Sequence, residues 1–272
     1  MRMADVHAAS LLIVCLLLSM DIRAQASSAQ TAPSVASLDI YDGFETATLS
    51  GLWEQSRFES GSVVMESQIV RAGHQAVAIS VHPRDKFEAG QHGNADSERD
   101  ELMEARALTA KQEEPYEYSF SMFFPQDFPI VSVRLVIAQW KQFCPNEQGP
   151  CSDDSPVLAL RYIGGVMSVT QDLGGKRSTL FEKKAEFRNR WLDFRVQARF
   201  TPDPAGHVKV WLNQQLIADY RGVTANAENA TTGYPSAGRY YFKMGLYRNV
   251  MPELMTVFID EYRKQTLRDS EF

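Results

Sequence analysis

The chain of 272 residues is poor in cysteine, with only Cys15, Cys144 and Cys151. So few thiols exclude a disulfide-dense scaffold or a cysteine-rich zinc module. Long apolar runs are equally scarce: the run from Leu11 to Leu18 is far below the ~20 residues that a membrane-spanning helix needs. Basic tracts are missing as well, and 28 Lys and Arg against 34 Asp and Glu leave a net charge of -6. That balance lacks the electrostatic footprint of a nucleic-acid binder. No segment sustains helical periodicity, and nothing repeats at the roughly 20 to 50 residue scale of solenoids.

What the chain does have begins at its start. "MRMADVHAASLLIVCLLLSMDIRAQASS" combines a charged beginning, a short apolar run, and Ala24 and Ala26 in A-x-A spacing. We read residues 1–26 as a secretory signal cleaved after Ala26. Cys15 lies inside the apolar run and not at its end, which argues against a lipoprotein anchor. Residues 27–37, "SSAQTAPSVAS", read as a disordered leader, so that one domain occupies 38–272. The expected location is secreted or periplasmic, with no membrane contact after cleavage. In that compartment Cys144 and Cys151, in "CPNEQGPC", are expected to close a local disulfide.

From residue 38 onward, short runs rich in β-branched and aromatic residues follow one another: "QAVAISV", "YEYSFSMFF", "RLVIAQW", "VLALRYI", "VMSVTQD", "WLDFRVQARF", "HVKVWLN", "RYYFKMGLY" and "LMTVFIDEY". Turn signals such as "PQDFP", "IGG", "DLGG" and "TPDPAG" separate them. This pattern predicts an all-β jelly roll or sandwich of two antiparallel sheets, one of them concave enough to hold a long ligand.

Side chains of a strand alternate between faces, and three strands then acquire a polar face. In "YYFKMGLYR", Tyr240, Phe242, Met244 and Leu246 form an apolar row, while Tyr241, Lys243 and Tyr247 form the opposite one. In "SERDELME", Arg99 and Glu101 lie opposite Leu102. In "RLVIAQWKQF", Gln139 and Lys141 lie opposite Ala138 and Trp140. Brought together, these residues make a cationic, hydrogen-bonding surface in an acidic protein, which implies capture of a polyanion. Taken singly, each has a plainer reading. Arg99 with Glu101 also suits a surface ion pair, and Lys141 a solvated strand position.

"RDEL", "QWK" and "YFKMGLY" resemble, in order, the three signature segments of jelly-roll polysaccharide lyases of the alginate lyase group. "AQWK", "YEYSFSMFFPQDFP" and "WLDFRVQARFTPDPAGHVKVWLN" look more like the related group of heparin lyase I and glucuronan lyase. The resemblance implies a concanavalin A-like jelly roll acting by β-elimination on a uronic-acid polymer. No histidine pair has metal-ligand spacing and the carboxylates of "DSERDE" alternate between faces, so no metal or cofactor is expected, and the chain is expected to be a monomer. It assigns Arg99 and Gln139 to neutralising the uronate carboxylate and Tyr247 to proton transfer at O4. Lys243, Tyr241, Glu101 and Arg248 would hold the sugar chain.

One departure stands at Lys141, where the alginate lyases carry histidine. A lysine, charged at neutral pH, is expected to assist through its charge. The proton on C5 would then go to Tyr247 or to His92 in the Gly-rich loop before Arg99, with His74 and His82 as replacements. Two alternatives follow. A non-catalytic carbohydrate-binding jelly roll would keep the polar face without turnover. A glycoside hydrolase would need paired carboxylates in the groove, whereas Glu98, Asp100 and Glu104 share the face of Leu102.

Overall fold

The computed structural model describes residues 38–54, 58–86, 96–143, 155–228 and 236–272. The expected signal and leader (1–37), His92, and the Cys144–Cys151 pair lie outside the described residues.

Fifteen strands follow in order: β1 (Asp39–Asp42), β2 (Val63–Glu66), β3 (Ala76–Val81), β4 (Ser97–Met103), β5 (Ala110–Lys111), β6 (Pro115–Phe123), β7 (Leu135–Gln142), β8 (Leu158–Ile163), β9 (Val166–Leu173), β10 (Lys176–Lys184), β11 (Trp191–Arg199), β12 (His207–Leu212), β13 (Gln215–Arg221), β14 (Arg239–Asn249) and β15 (Met255–Thr266). Every expected run forms a strand. Five strands were anticipated neither as apolar runs nor as polar-faced segments: β1, β2, β5, β10 and β13. The last two end their sheets and expose most of their side chains.

The strands build an eight-stranded sheet, in the order β13-β12-β11-β6-β15-β3-β2 with β1 also on β15. A seven-stranded sheet follows the order β10-β9-β8-β7-β14-β4, with β5 also on β14. All of these strand pairs are antiparallel. No α-helix occurs among the described residues, only two short 3-10 turns.

The inner faces of the two sheets meet in one aromatic core. Phe242 of β14 lies 5.3 Å from Tyr118, 5.5 Å from Phe120, 4.8 Å from Trp140 and 5.7 Å from Tyr262, ring centre to ring centre. Tyr118, Phe120 and Tyr262 come from the eight-stranded sheet, so this cluster clamps the layers together. Three of these contacts are tilted and the one with Tyr262 is stacked, and such ring pairs stabilise beyond the area they bury.

The interior also holds charge. Lys264 of β15 reaches across to Glu104, just past β4, with Nζ 2.9 Å from Oε2, and both side chains are fully buried. Tyr262 donates a second hydrogen bond to the same carboxylate. Burial pushes both Glu104 and Lys264 toward their neutral forms, and the pairing with each other opposes it. Lys264→Met should therefore destabilise the fold by about 3–5 kcal/mol, because it leaves the Glu104 charge buried and alone. Urea unfolding checks this, and adding Glu104→Gln to the same protein should recover part of the loss.

Candidate active site

Register fixes the site. β14 lies between β4 and β7, with Tyr247 opposite Arg99 on one side and Val136 on the other, and Lys243 opposite Gln139. Tyr240, Phe242, Met244 and Leu246 are each 0% exposed and belong to the core. Their burial turns Tyr241, Lys243, Gly245 and Tyr247 to the outer face of the seven-stranded sheet. Arg99, Gln139, Lys141 and Tyr247 therefore share one surface although they are far apart in sequence.

At the base of this surface sits Glu101. Lys243 Nζ donates to its Oε2 at 2.8 Å, and Gln139 Nε2 donates to its Oε1. Burial would raise this carboxyl's pKa, but the charges of Lys243 and Arg99 and the two hydrogen bonds outweigh it and hold the group below the ordinary carboxylate range. Glu101, expected to touch substrate, is thus a buried anion that positions Gln139 and Lys243.

The Glu101–Gln139 hydrogen bond has to cross over β14. On β14 the residue opposite Glu101 is Gly245. Its φ is +135°, and a Cβ there would come within 2.5 Å of the Asp100 carbonyl oxygen. Glycine is required at this position both by the dihedral and by the close approach of β4.

Above this layer, Tyr247 is flanked by cations. The guanidinium carbon of Arg99 lies 4.5 Å from its ring centre, that of Arg134 4.4 Å, and Lys243 Nζ 6.0 Å. Lys141 is half-buried and opposite Tyr241, whose ring packs on Phe143 at 4.8 Å. Gln139 and Lys243 are 1% and 4% exposed, whereas Arg99, Lys141, Tyr241 and Tyr247 are half-buried and form the accessible part.

Arg248 is a correction. As an even-numbered residue of β14 it points into the molecule, where it is fully buried and paired with Glu98 at 2.9 Å. It supports the fold beneath β4 and cannot meet a sugar. Glu98, Asp100 and Glu104 are likewise buried on the inner side, so they offer no carboxylate pair to the outer surface. His82 is engaged elsewhere, with Nδ1 2.9 Å from Asp85 Oδ2, and the backbone N–H of His74 donates to Glu45.

Sequence reasoning missed Arg134 and Arg161. An irregularity at Ile137 breaks the alternation of β7, so Val136 faces the same side as Gln139, and Arg134 reaches the Tyr247 ring. Arg161, a lone charge in the apolar run "VLALRYI", was the signal available.

The class these features define is an all-β jelly-roll protein with an anion-binding, tyrosine-bearing surface on one sheet. A family model for polysaccharide lyase matches residues 44–263, and the chain belongs to that family; it is a polysaccharide lyase. Among solved structures it resembles endo-β-1,4-glucuronan lyase from the fungus Trichoderma reesei, at 18% identity and a TM-score of 0.63, covering 84% of this chain and 95% of that one. Alginate lyase AlgAT5 aligns at 14% identity and a TM-score of 0.52, over 77% of this chain and 84% of its own. Alginate lyase A1-II′ aligns at 12% identity and a TM-score of 0.54, over 77% and 85%. At these identities the likeness shows the fold. A comparison with curated protein sequences returns no significant match.

Behind Arg99 lies a pair of carboxyl groups. Asp100, fully buried, sits against Asp85 and accepts from the Glu59 N–H at 2.6 Å; its pKa is pushed up to about 7, first by burial and then by the Asp85 charge. Asp85 also accepts from His82, and its backbone carbonyl takes the Arg99 N–H at 3.1 Å. Because the folded pKa of Asp100 lies above its unfolded value, stability is greatest when the group is protonated and falls as pH rises toward about 7. Asp100→Asn should therefore raise the unfolding temperature at about pH 8. The gain should shrink below pH ~7 and vanish near pH ~4, as thermal melts across that range would show.

Proposed function

We propose that the chain is exported and cleaves a uronic-acid-containing polysaccharide by β-elimination on the outer face of the seven-stranded sheet. The observation that carries this reading is the stacking of Arg99 on Tyr247 beside the Gln139–Glu101–Lys243 constellation. The names of the glucuronan and alginate lyases that share the fold agree with a uronate polymer.

Elimination must neutralise the uronate carboxylate, remove the weakly acidic C5 proton and protonate the departing O4. Arg99 offers a planar fork to the carboxylate, and Gln139 has a second amide hydrogen beyond the one committed to Glu101. Negative charge spreading into the carboxylate as C5 loses its proton is then met by fixed donors. Tyr247, as a phenolate, takes the C5 proton, and the phenol so formed returns it to O4 as the C4–O4 bond breaks and the C4–C5 double bond forms. The phenolate charge that begins and ends this cycle lies close to Arg99, Arg134 and Lys243. Lys243 acts chiefly through Glu101, and Lys141 adds positive charge at the rim beside Tyr241.

A hydrolase would need two carboxylates across an open groove, and Glu98, Asp100 and Glu104 are buried on the other side of β4.

Elimination leaves a conjugated, ultraviolet-absorbing uronate, which hydrolysis does not. With alginate, polyglucuronate and a glycosaminoglycan as a panel, at least one should give rising absorbance, reduced about 100-fold or more in Tyr247→Phe. A flat trace across the panel from correctly folded protein overturns the reading. In the same assay Lys141→Arg should keep much of the activity and Lys141→Met lose most of it; equal rates would remove Lys141 from the mechanism. Export predicts that protein recovered outside the cytoplasm begins at Ser27, which N-terminal sequencing checks.

A further inference from the structure

Beyond Tyr247, on the half of the sheet formed by β7, β8, β9 and β10, positive charge continues. Arg161 of β8 is 4% exposed, and its Nε donates to Thr170 Oγ1 at 2.9 Å. Arg134 and Arg177 are near enough to depress its pKa to about 10 alongside burial, the largest cause. The carboxylate that offsets them is Asp172, and it is already ion-paired to Arg177 at 3.4 Å. Arg161 and Arg177 therefore share one carboxylate, with the Arg134 charge close to Arg161 as well. Arg134 Nε and Nη2 are buried and meet no hydrogen-bond partner among the described residues.

Such an arrangement is costly in the free protein. Like charges repel, and buried donors without acceptors lose the hydrogen bonds they made to water. Both costs fall if an oxyanion enters. Neighbouring strands lie ~4.8 Å apart, roughly the rise of one sugar in an extended chain, so a polymer crossing the strands passes from Tyr247 on β14 to Arg161 on β8 within one or two sugars.

We propose that Arg134, Arg161 and Arg177 form a second oxyanion-holding position that receives a carboxylate or sulfate from a sugar further along the same chain. The proposal deepens the reading given above and rests on it for the direction of the polymer. Its consequence is a preference for polymers with closely spaced negative groups over those with isolated ones. Arg161, with its Nε held by Thr170, presents its remaining N–H groups as a preset fork. Arg134 links the position to Tyr247 by stacking on its ring.

The test separates binding from turnover. Polyglucuronate and heparin are titrated by calorimetry into protein carrying Tyr247→Phe, alone and combined with Arg161→Gln or with Arg177→Gln, at several salt concentrations. Arg177 is half-exposed, so its replacement leaves folding intact even if Arg161→Gln does not. Each arginine change should weaken binding about tenfold and reduce its salt dependence, and Arg161→Lys should recover part of the loss. Loss with both polymers identifies a carboxylate as sufficient; loss with heparin alone identifies sulfate. Unchanged affinity and salt dependence in both variants overturns the proposal. If the parent enzyme yields no unsaturated product from any uronate while the variants still lose affinity, the second position stands and the elimination reading falls. If the parent cleaves and the variants bind as it does, the reverse holds.

Discussion

The site depends on one constraint, the strict alternation of β14. Its apolar row, Tyr240, Phe242, Met244 and Leu246, is sealed in the core, and each of those side chains is 0% exposed. A slip of one residue would drive Lys243 and Tyr247 into that core and expose Phe242, which touches rings from both sheets. The energy that holds the sandwich closed is thereby the energy that aims the functional row outward. Stability and site geometry are set by the same side chains.

On that frame Glu101 organises the polar face. A buried carboxylate is tolerated only when its lone pairs are used, and here Lys243 and Gln139 use them from two different strands. Gly245 lets β4 lie close against β14, where a Cβ would meet the Asp100 carbonyl oxygen. The result is a preset array: Gln139 is oriented before any ligand arrives, and Lys243 is spent on holding the array in place. This division explains why the accessible layer consists of Arg99, Lys141, Tyr241 and Tyr247.

A second layer of charge lies behind the strand that carries Arg99. Glu98 with Arg248, Asp100 with Asp85, and Glu104 with Lys264 succeed each other along the inner side of β4 and just past its end. The two ion pairs add little net stability compared with apolar packing, but they punish misregistration severely, since a shifted strand would leave each of their charges alone. β4 is thus pinned in register from behind while its outer side faces the site. Arg248, next to Tyr247 in the chain, belongs to this inner layer and not to the row that faces the site.

Much of this was legible in the chain. The order and extent of the central strands follow from apolar runs and turn residues, and the shared face of Lys243, Tyr247 and their partners follows from period two. The polar edge strands β10 and β13 were not legible, because a strand that exposes nearly all its side chains carries no alternation to read. Arg134 was hidden for a different reason: the irregularity at Ile137 reverses parity within β7, so counting residues from Gln139 places it on the wrong side. By itself the sequence determined which side chains are apolar, which strands form, and which residue types are available to meet an anion. Only the tertiary structure decided that β4, β14 and β7 are neighbours, that Glu101 lies under Gln139 and Lys243, and that three arginines gather beyond Tyr247. Those are relations between strands distant in the chain, fixed by hydrogen-bond register and close packing, and no local pattern encodes them.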